Sequence, residues 1–268
     1  MKIRALALET FRSFFHNWLI LVLLIVLSLS VLLGMAPLLG ARAMRSAQNA
    51  AQMQNMVLTV VARLMSFVSA FGSLLAAWAA ADAVSSEMAS GTILAVMARP
   101  VKRWEFLLGK FAGAMILMTI YVVMMLGLSF LLAGMGGERI HSSIWVLLVY
   151  PLLRYAIWAG VAIALVTLMR PIASVGIIVV FFLLIEMASS PDFANEYPKA
   201  RDILNVFHWV LPSTDLLSES RFLEITHASL KQTGWLEHLT TISYGLDYAL
   251  VCLLLAMWSF HYRSLKRD

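Results

Sequence analysis

Six apolar runs, each close to the length that carries an α-helix across a bilayer, constrain this chain more than any other feature. They fall at about 18–39, 64–84, 111–134, 145–168, 172–190 and 243–262. A hydrocarbon core of roughly 30 Å needs about 20 residues at about 1.5 Å each, so every run is a candidate span. In lipid the backbone must satisfy its own hydrogen bonds, which leaves helices or closed barrels, and runs this long and continuous read as helices. Composition agrees: 61% of the 268 residues are hydrophobic and 13% are charged, with a mean hydropathy of +0.85. Soluble domains lie nearer half apolar and a quarter charged. The fold class expected is an all-α integral membrane protein with six transmembrane helices.

The first run follows Lys2, Arg4 and Arg12 and precedes "ARA" at 41–43, which imitates a signal-peptidase site. Its 22 residues exceed a signal h-region and suit a retained span. Before it, residues 1–17 form an amphipathic unit: Leu8, Phe11, Phe15 and Trp18 recur at helical steps, with Glu9, Arg12 and His16 opposite. That pattern predicts an interfacial helix with its aromatics at the acyl boundary. Residues 18–268 then form one six-span domain.

Six spans put both termini on one face. The amino terminus, 85–110, 169–171 and the carboxyl terminus hold eleven Lys and Arg in roughly 50 residues, against eight in roughly 85 residues on the other face. The positive-inside rule makes the first face cytoplasmic. The basic residues form no stripe with interleaved aromatics, so nucleic acid is excluded as a partner. A lone cysteine, Cys252, supports neither a disulfide framework nor a Cys-based metal site. The six histidines form no ligand cluster, and the sixteen methionines are spread through the spans as packing. No metal or other cofactor is expected in this chain, and no nucleophile, base and acid share a membrane depth, so it reads as non-catalytic.

Two segments between spans carry information. The outer segment 191–242 contains "ARDILNVFHWVLP" and "STDLLSESRFLEI", two short helical patterns that roof the bundle or offer a periplasmic partner a surface. The cytoplasmic segment 85–110, "SSEMASGTILAVMARPVKRWEFLLGK", keeps a helical apolar rhythm through Ile93, Leu94 and Met97. Gly91 and Pro100 bracket it, predicting a short rod parallel to the membrane that presents Arg99, Lys102 and Arg103 to the cytosol.

The spacing Glu87, Gly91-Thr92, Arg99-Pro100, Lys102-Arg103, then Gly109-Lys110 resembles the cytoplasmic loop of type-2 ABC exporter permeases, which reads roughly E-x-x-x-G-T, a short helix, P-x-x-R and G-K. The six-span layout, the amphipathic start and the outer helical segment extend the resemblance over nearly the whole chain, and "LMRPIASV" at 168–175 resembles the family's turn between spans four and five. The resemblance implies that 85–110 is a coupling helix seated in a separate ATPase subunit, which would bind the ATP and Mg. It implies a pair of permease chains, alike or different, in the bacterial inner membrane, exporting a substrate by alternating access. The apolar spans lean toward an amphiphile. Glu87 would set the helix start or pair with a nearby arginine, and Lys102 and Arg103 would meet acidic partner residues. No G-x-x-x-x-G-K-[ST] phosphate cradle lies in the sequence, so this chain would not supply the energy itself. The alternative is a membrane anchor that transmits the motion of such an ATPase to an envelope assembly machine without carrying solute.

Four charges fall inside the runs: Asp82, at the cytoplasmic end of the second, and Arg154, Glu186 and Asp247. Arg154 lies about 24 Å up the fourth span from Arg170 and about 16 Å down from Ser143. Pairing with Glu186 is favoured over a substrate path; Asp247 is expected near the outer end of the last span. Small residues on the second span, Ala70, Gly72, Ala76, Ala77 and Ala79 to Ala81, would permit close approach in the bundle or across a dimer.

Overall fold

The computed structural model describes residues 2–16, 18, 22, 25, 28, 29, 50–91, 102–136, 144–169, 171–188, 217 and 235–262. Among them every long element is helical: α1 (Lys2–His16), α2 (Ala50–Ser90), α3 (Arg103–Gly136), α4 (Ile144–Leu168), α5 (Pro171–Ala188) and α6 (Trp235–Tyr262). Four stretches of the described residues are long and apolar enough to cross a membrane: Val68–Ser90, Arg103–Leu128, Leu148–Leu168 and His238–Tyr262. The body of the first expected span and most of the outer segment lie outside the described residues.

Several boundaries move. The second span was expected at 64–84, but α2 is a 41-residue helix from Ala50 to Ser90. At about 1.5 Å per residue it is about 60 Å long, twice a hydrocarbon core. Residues 85–90 therefore close α2, and 103–110 open α3, rather than belonging to a separate segment. The last span also starts earlier, at Trp235, which takes the end of the expected outer segment into α6.

α4 is the hub: it packs on α2, α3 and α6, while α1 packs on α3 and α5 on α2 and α4. Apolar attraction between helices is weak in lipid, so small residues that allow close approach decide which faces meet. The alanine face of α2, Ala76, Ala77 and Ala79 to Ala81, is fully buried within this chain. Gly72 forms a notch where a Cβ would collide with the Tyr155 hydroxyl and approach Tyr121 within 2.8 Å. The α4–α6 seam uses the same device, with a Cβ at Gly160 reaching Cys252 at 3.1 Å and one at Gly245 reaching Leu153 at 3.1 Å. The small face of α2 serves the bundle itself.

α1 forms as expected, and it packs on the bundle through the arc next to its expected membrane-facing residues. Leu6, Ala7, Thr10 and Phe14 are buried, whereas Leu8, an expected anchor, is 60% exposed. At about 100° per residue these two sets occupy neighbouring arcs of one broad apolar face. The arc carrying Leu6 and Thr10 docks on α3, where Cβ atoms at Gly109 and Gly113 would each come within 2.6 Å of them. The arc carrying Leu8 stays outward.

Candidate functional site

The candidate site is the junction where α2 ends and α3 begins. Ser86 Oγ donates to the Asp82 carbonyl at 2.6 Å, and Ser90 Oγ to the Glu87 carbonyl at 3.4 Å, over the last two turns of α2. Gly91 then takes φ 72°, a left-handed conformation that costs glycine nothing and stops the helix. At the other side, the Lys102 backbone N–H donates to Glu105 Oε2 at 2.8 Å, and the Phe106 N–H donates to the Lys102 carbonyl at 3.1 Å. Lys102 is thus the amino-terminal cap of α3. Glu105, three residues on, reaches back to it as in a capping box and suits the positive end of the helix dipole. The expected rod between them, with Thr92, Arg99 and Pro100, lies outside the described residues.

The described residues on both flanks of that segment are fixed to the bundle. Lys110, on α3, forms an ion pair with Glu87, on the last turns of α2, and its ammonium lies 5.5 Å from the Phe106 ring centre. Glu87, expected to set the helix start or to pair with a nearby arginine, pairs with a lysine. Arg103 Nη1 donates to the carbonyls of Phe260 at 2.9 Å and His261 at 2.8 Å, filling acceptors that the end of α6 leaves without helical donors. Its guanidinium lies 5.9 Å from the Phe260 ring, which stacks on Phe106 at 6.0 Å. Arg103 was expected to face a partner; it holds α3 to α6 instead. Lys102 is exposed.

One signal went unread in the sequence. Gly109 appeared only as part of the coupling pattern, yet Gly109-x-x-x-Gly113 is a small-residue spacing for close helix packing, and α1 occupies it. Of the coupling residues, Glu87, Arg103, Gly109 and Lys110 tie together the ends of α1, α2, α3 and α6, Gly91 shapes the exit, and Lys102 offers its charge outward.

Within the membrane, Arg154 sits ten residues into α4, about 15 Å from its start, and is 5% exposed. Its Nε donates to Ser73 Oγ at 2.9 Å, and that hydroxyl donates to the Ser69 carbonyl at 2.9 Å. Tyr121 donates to the Val68 carbonyl at 3.0 Å in the same layer. An arginine at the bilayer centre costs about 2.5–3.5 kcal/mol on insertion scales, and hydrogen-bonding it inside protein offsets that cost. The side chain of Glu186 lies outside the described ones.

Asp247 lies well inside α6. With α6 starting at Trp235, it stands twelve residues in, about 18 Å from that end and about 22 Å from Tyr262. It is exposed on the outward face of α6, beside Leu246, Leu250, Val251 and Leu254.

A family model described as ABC-2 family transporter protein matches residues 4–265. No curated protein matches the chain.

Proposed function

Since the chain belongs to the ABC-2 transporter family, we propose that it is the permease subunit of an ATP-driven exporter of the bacterial cytoplasmic membrane. A separate ATPase subunit seats the 92–101 segment and binds the ATP and Mg. A second permease chain completes the transporter, which exports its cargo by alternating access. The positive-inside count puts the segment and both termini in the cytoplasm.

The observation that carries this reading is the double anchorage of the segment. A rod that transmits force must not slip at its attachments. Here it leaves α2 at Gly91 and rejoins at Lys102, and the flanking residues are bonded across three helices: Glu87 to Lys110, and Arg103 to the end of α6. A displacement of the rod is delivered to α2, α3 and α6 together, and through Gly109 and Gly113 to α1. Lys102 is the described cation of this set that faces outward, which suits an acidic rim on the ATPase; rim charges govern encounter and registry.

The test is reconstitution with an ABC-type ATPase, sought first in the reading frames adjacent to this gene. Lys102→Glu is expected to weaken association several-fold at low salt, with the gap closing as salt screens the pair, while the thermal stability of the permease stays unchanged. Lack of association of the wild-type chain with any nucleotide-hydrolysing protein would refute the assignment.

The length of α2 favours a second reading, transmission of force to an envelope machine. About 30 Å of helix beyond a hydrocarbon core, on the face opposite Ser90, is a lever available to an outer partner. ATP turnover stimulated by a solute in liposomes supports export; stimulation only by a periplasmic protein supports the second reading.

A further inference from the structure

The outer flank of α3, α4 and α6 carries a groove of about 700 Å³ lined by apolar side chains alone, among them Phe111, Met115, Leu152, Leu246, Leu250 and Leu254. Its size falls within the range of small-molecule sites. Asp247 is exposed and lies in sequence between Leu246 and Leu250 of the lining. On a helix surface the neighbours of residue 247 are those three and four positions away, so Leu250 of the groove wall lies beside it, with Leu254 one turn further along the same side. On the other side Asp247 is flanked by Tyr244 and Tyr248, whose ring centres are 6.2 Å apart. Asp247 makes no hydrogen bond or ion pair among the described residues, and the lysine nearest the groove in sequence, Lys110, is committed to Glu87.

An exposed carboxylate among leucines, with no ion pair among the described residues, favours a cation beside it. The lining sets what else the cation must carry. With no polar group in the walls, the groove favours an apolar chain, and the two tyrosine rings add a surface that favours an ammonium over a neutral head. An anionic head would be repelled by Asp247. We propose that this groove is a binding site for a cationic amphiphile, an apolar chain ending in an ammonium group, with Asp247 as its counter-ion. The site needs no ATPase and stands apart from the exporter reading.

The experiment uses the full chain in phosphatidylcholine nanodiscs, with empty nanodiscs as background. Two radiolabelled probes share one tail: dodecyltrimethylammonium and dodecanol. The wild type is expected to bind the ammonium probe saturably and more tightly than the alcohol. Asp247→Asn should weaken ammonium binding about tenfold, the loss of one charge-assisted contact, and change dodecanol binding less than about twofold. Asp247→Glu should retain the preference, and Ala156→Phe, which fills the groove, should weaken both probes. Dodecanol binding reports folding of each variant, and Asp247→Ser serves as a second neutral variant if Asn fails that control. The proposal is overturned if ammonium binding does not exceed background, or if Asp247→Asn and Asp247→Ser bind the ammonium probe like wild type. Complete disulfide formation between two copies of an Asp247→Cys chain, with neither probe bound by wild type, would also overturn it and make this face a contact between copies.

Discussion

Two neighbouring helices, α4 and α6, are equally able to cross a membrane, and they are used in opposite ways. Within the span Leu148–Leu168, 78% of the most apolar stretch is buried inside the chain; within His238–Tyr262 the share is 33%. Each holds one charge far from its ends, and the charges meet opposite fates. Arg154 is buried and bonded to Ser73, whereas Asp247 faces outward among leucines. Apolarity decides that both helices enter the membrane. It does not decide which of them faces lipid, because in lipid a leucine gains little by turning inward. Inward faces are instead marked by small residues and by aromatics carrying a polar handle, such as Gly160, Tyr155 and Trp158 on α4.

The largest expected effect tests that contrast directly. Arg154→Leu removes a buried cation from a bonded layer that includes Ser73, Ser69 and Tyr121. Destabilisation of about 3 kcal/mol is expected from reversible unfolding in mixed micelles. Asp247→Leu, at a similar depth on α6, should be neutral or stabilising by up to about 1 kcal/mol, since it removes a charge from an outward apolar face. Equal losses from the two substitutions would break the comparison, because α6 would then be as enclosed as α4.

The seam between the helices gives the next effect. Leucine at Gly160 or Gly245 must displace Cys252 or Leu153, whose Cβ atoms already lie 3.1 Å from the position of an added Cβ. Each substitution should cost about 2 kcal/mol, the usual range for overpacking. Gly127 and Gly176 have no atom within 4 Å of an added Cβ. Alanine there should stabilise by up to about 1 kcal/mol through helix propensity alone. Were all four glycines to respond alike, close approach would not be what holds α4 to α6.

The same contrast explains what the amino-acid sequence disclosed. Long apolar runs announced the helices, and Gly91 announced the end of α2, because each depends on local chemistry. Lys110 and Arg103 were read as residues of a coupling pattern, with Arg103 turned to a partner. Their actual partners, Glu87 and the carbonyls of Phe260 and His261, are 23 to 158 positions away, and no local rule reaches so far. The start of α6 was missed for a related reason: the polar stretch before residue 243 hid a helix that begins at Trp235. The arc by which α1 docks went unread because it is set by Gly109 and Gly113 on another helix.

The smallest effect lies at the far ends of the two helices, where Tyr150 of α4 and His238 of α6 share a hydrogen bond of 2.7 Å between Oη and Nδ1. Here α6 behaves like α4, because the contact is polar and turned toward its neighbour. Tyr150→Phe keeps the ring contact, whose centres are 6.1 Å apart, and removes only the hydroxyl, for an expected loss of about 1 kcal/mol. Most of that loss should register locally, as faster amide exchange in the first turns of α6, since a helix that is mostly outward can fray without opening the bundle. In a double-mutant cycle with His238→Ala the two losses should overlap by most of the hydrogen bond's worth. Additive losses, or exchange that rises equally along α4, would show that the ends of the two helices are not joined there and that α6 relies on its glycine seam alone.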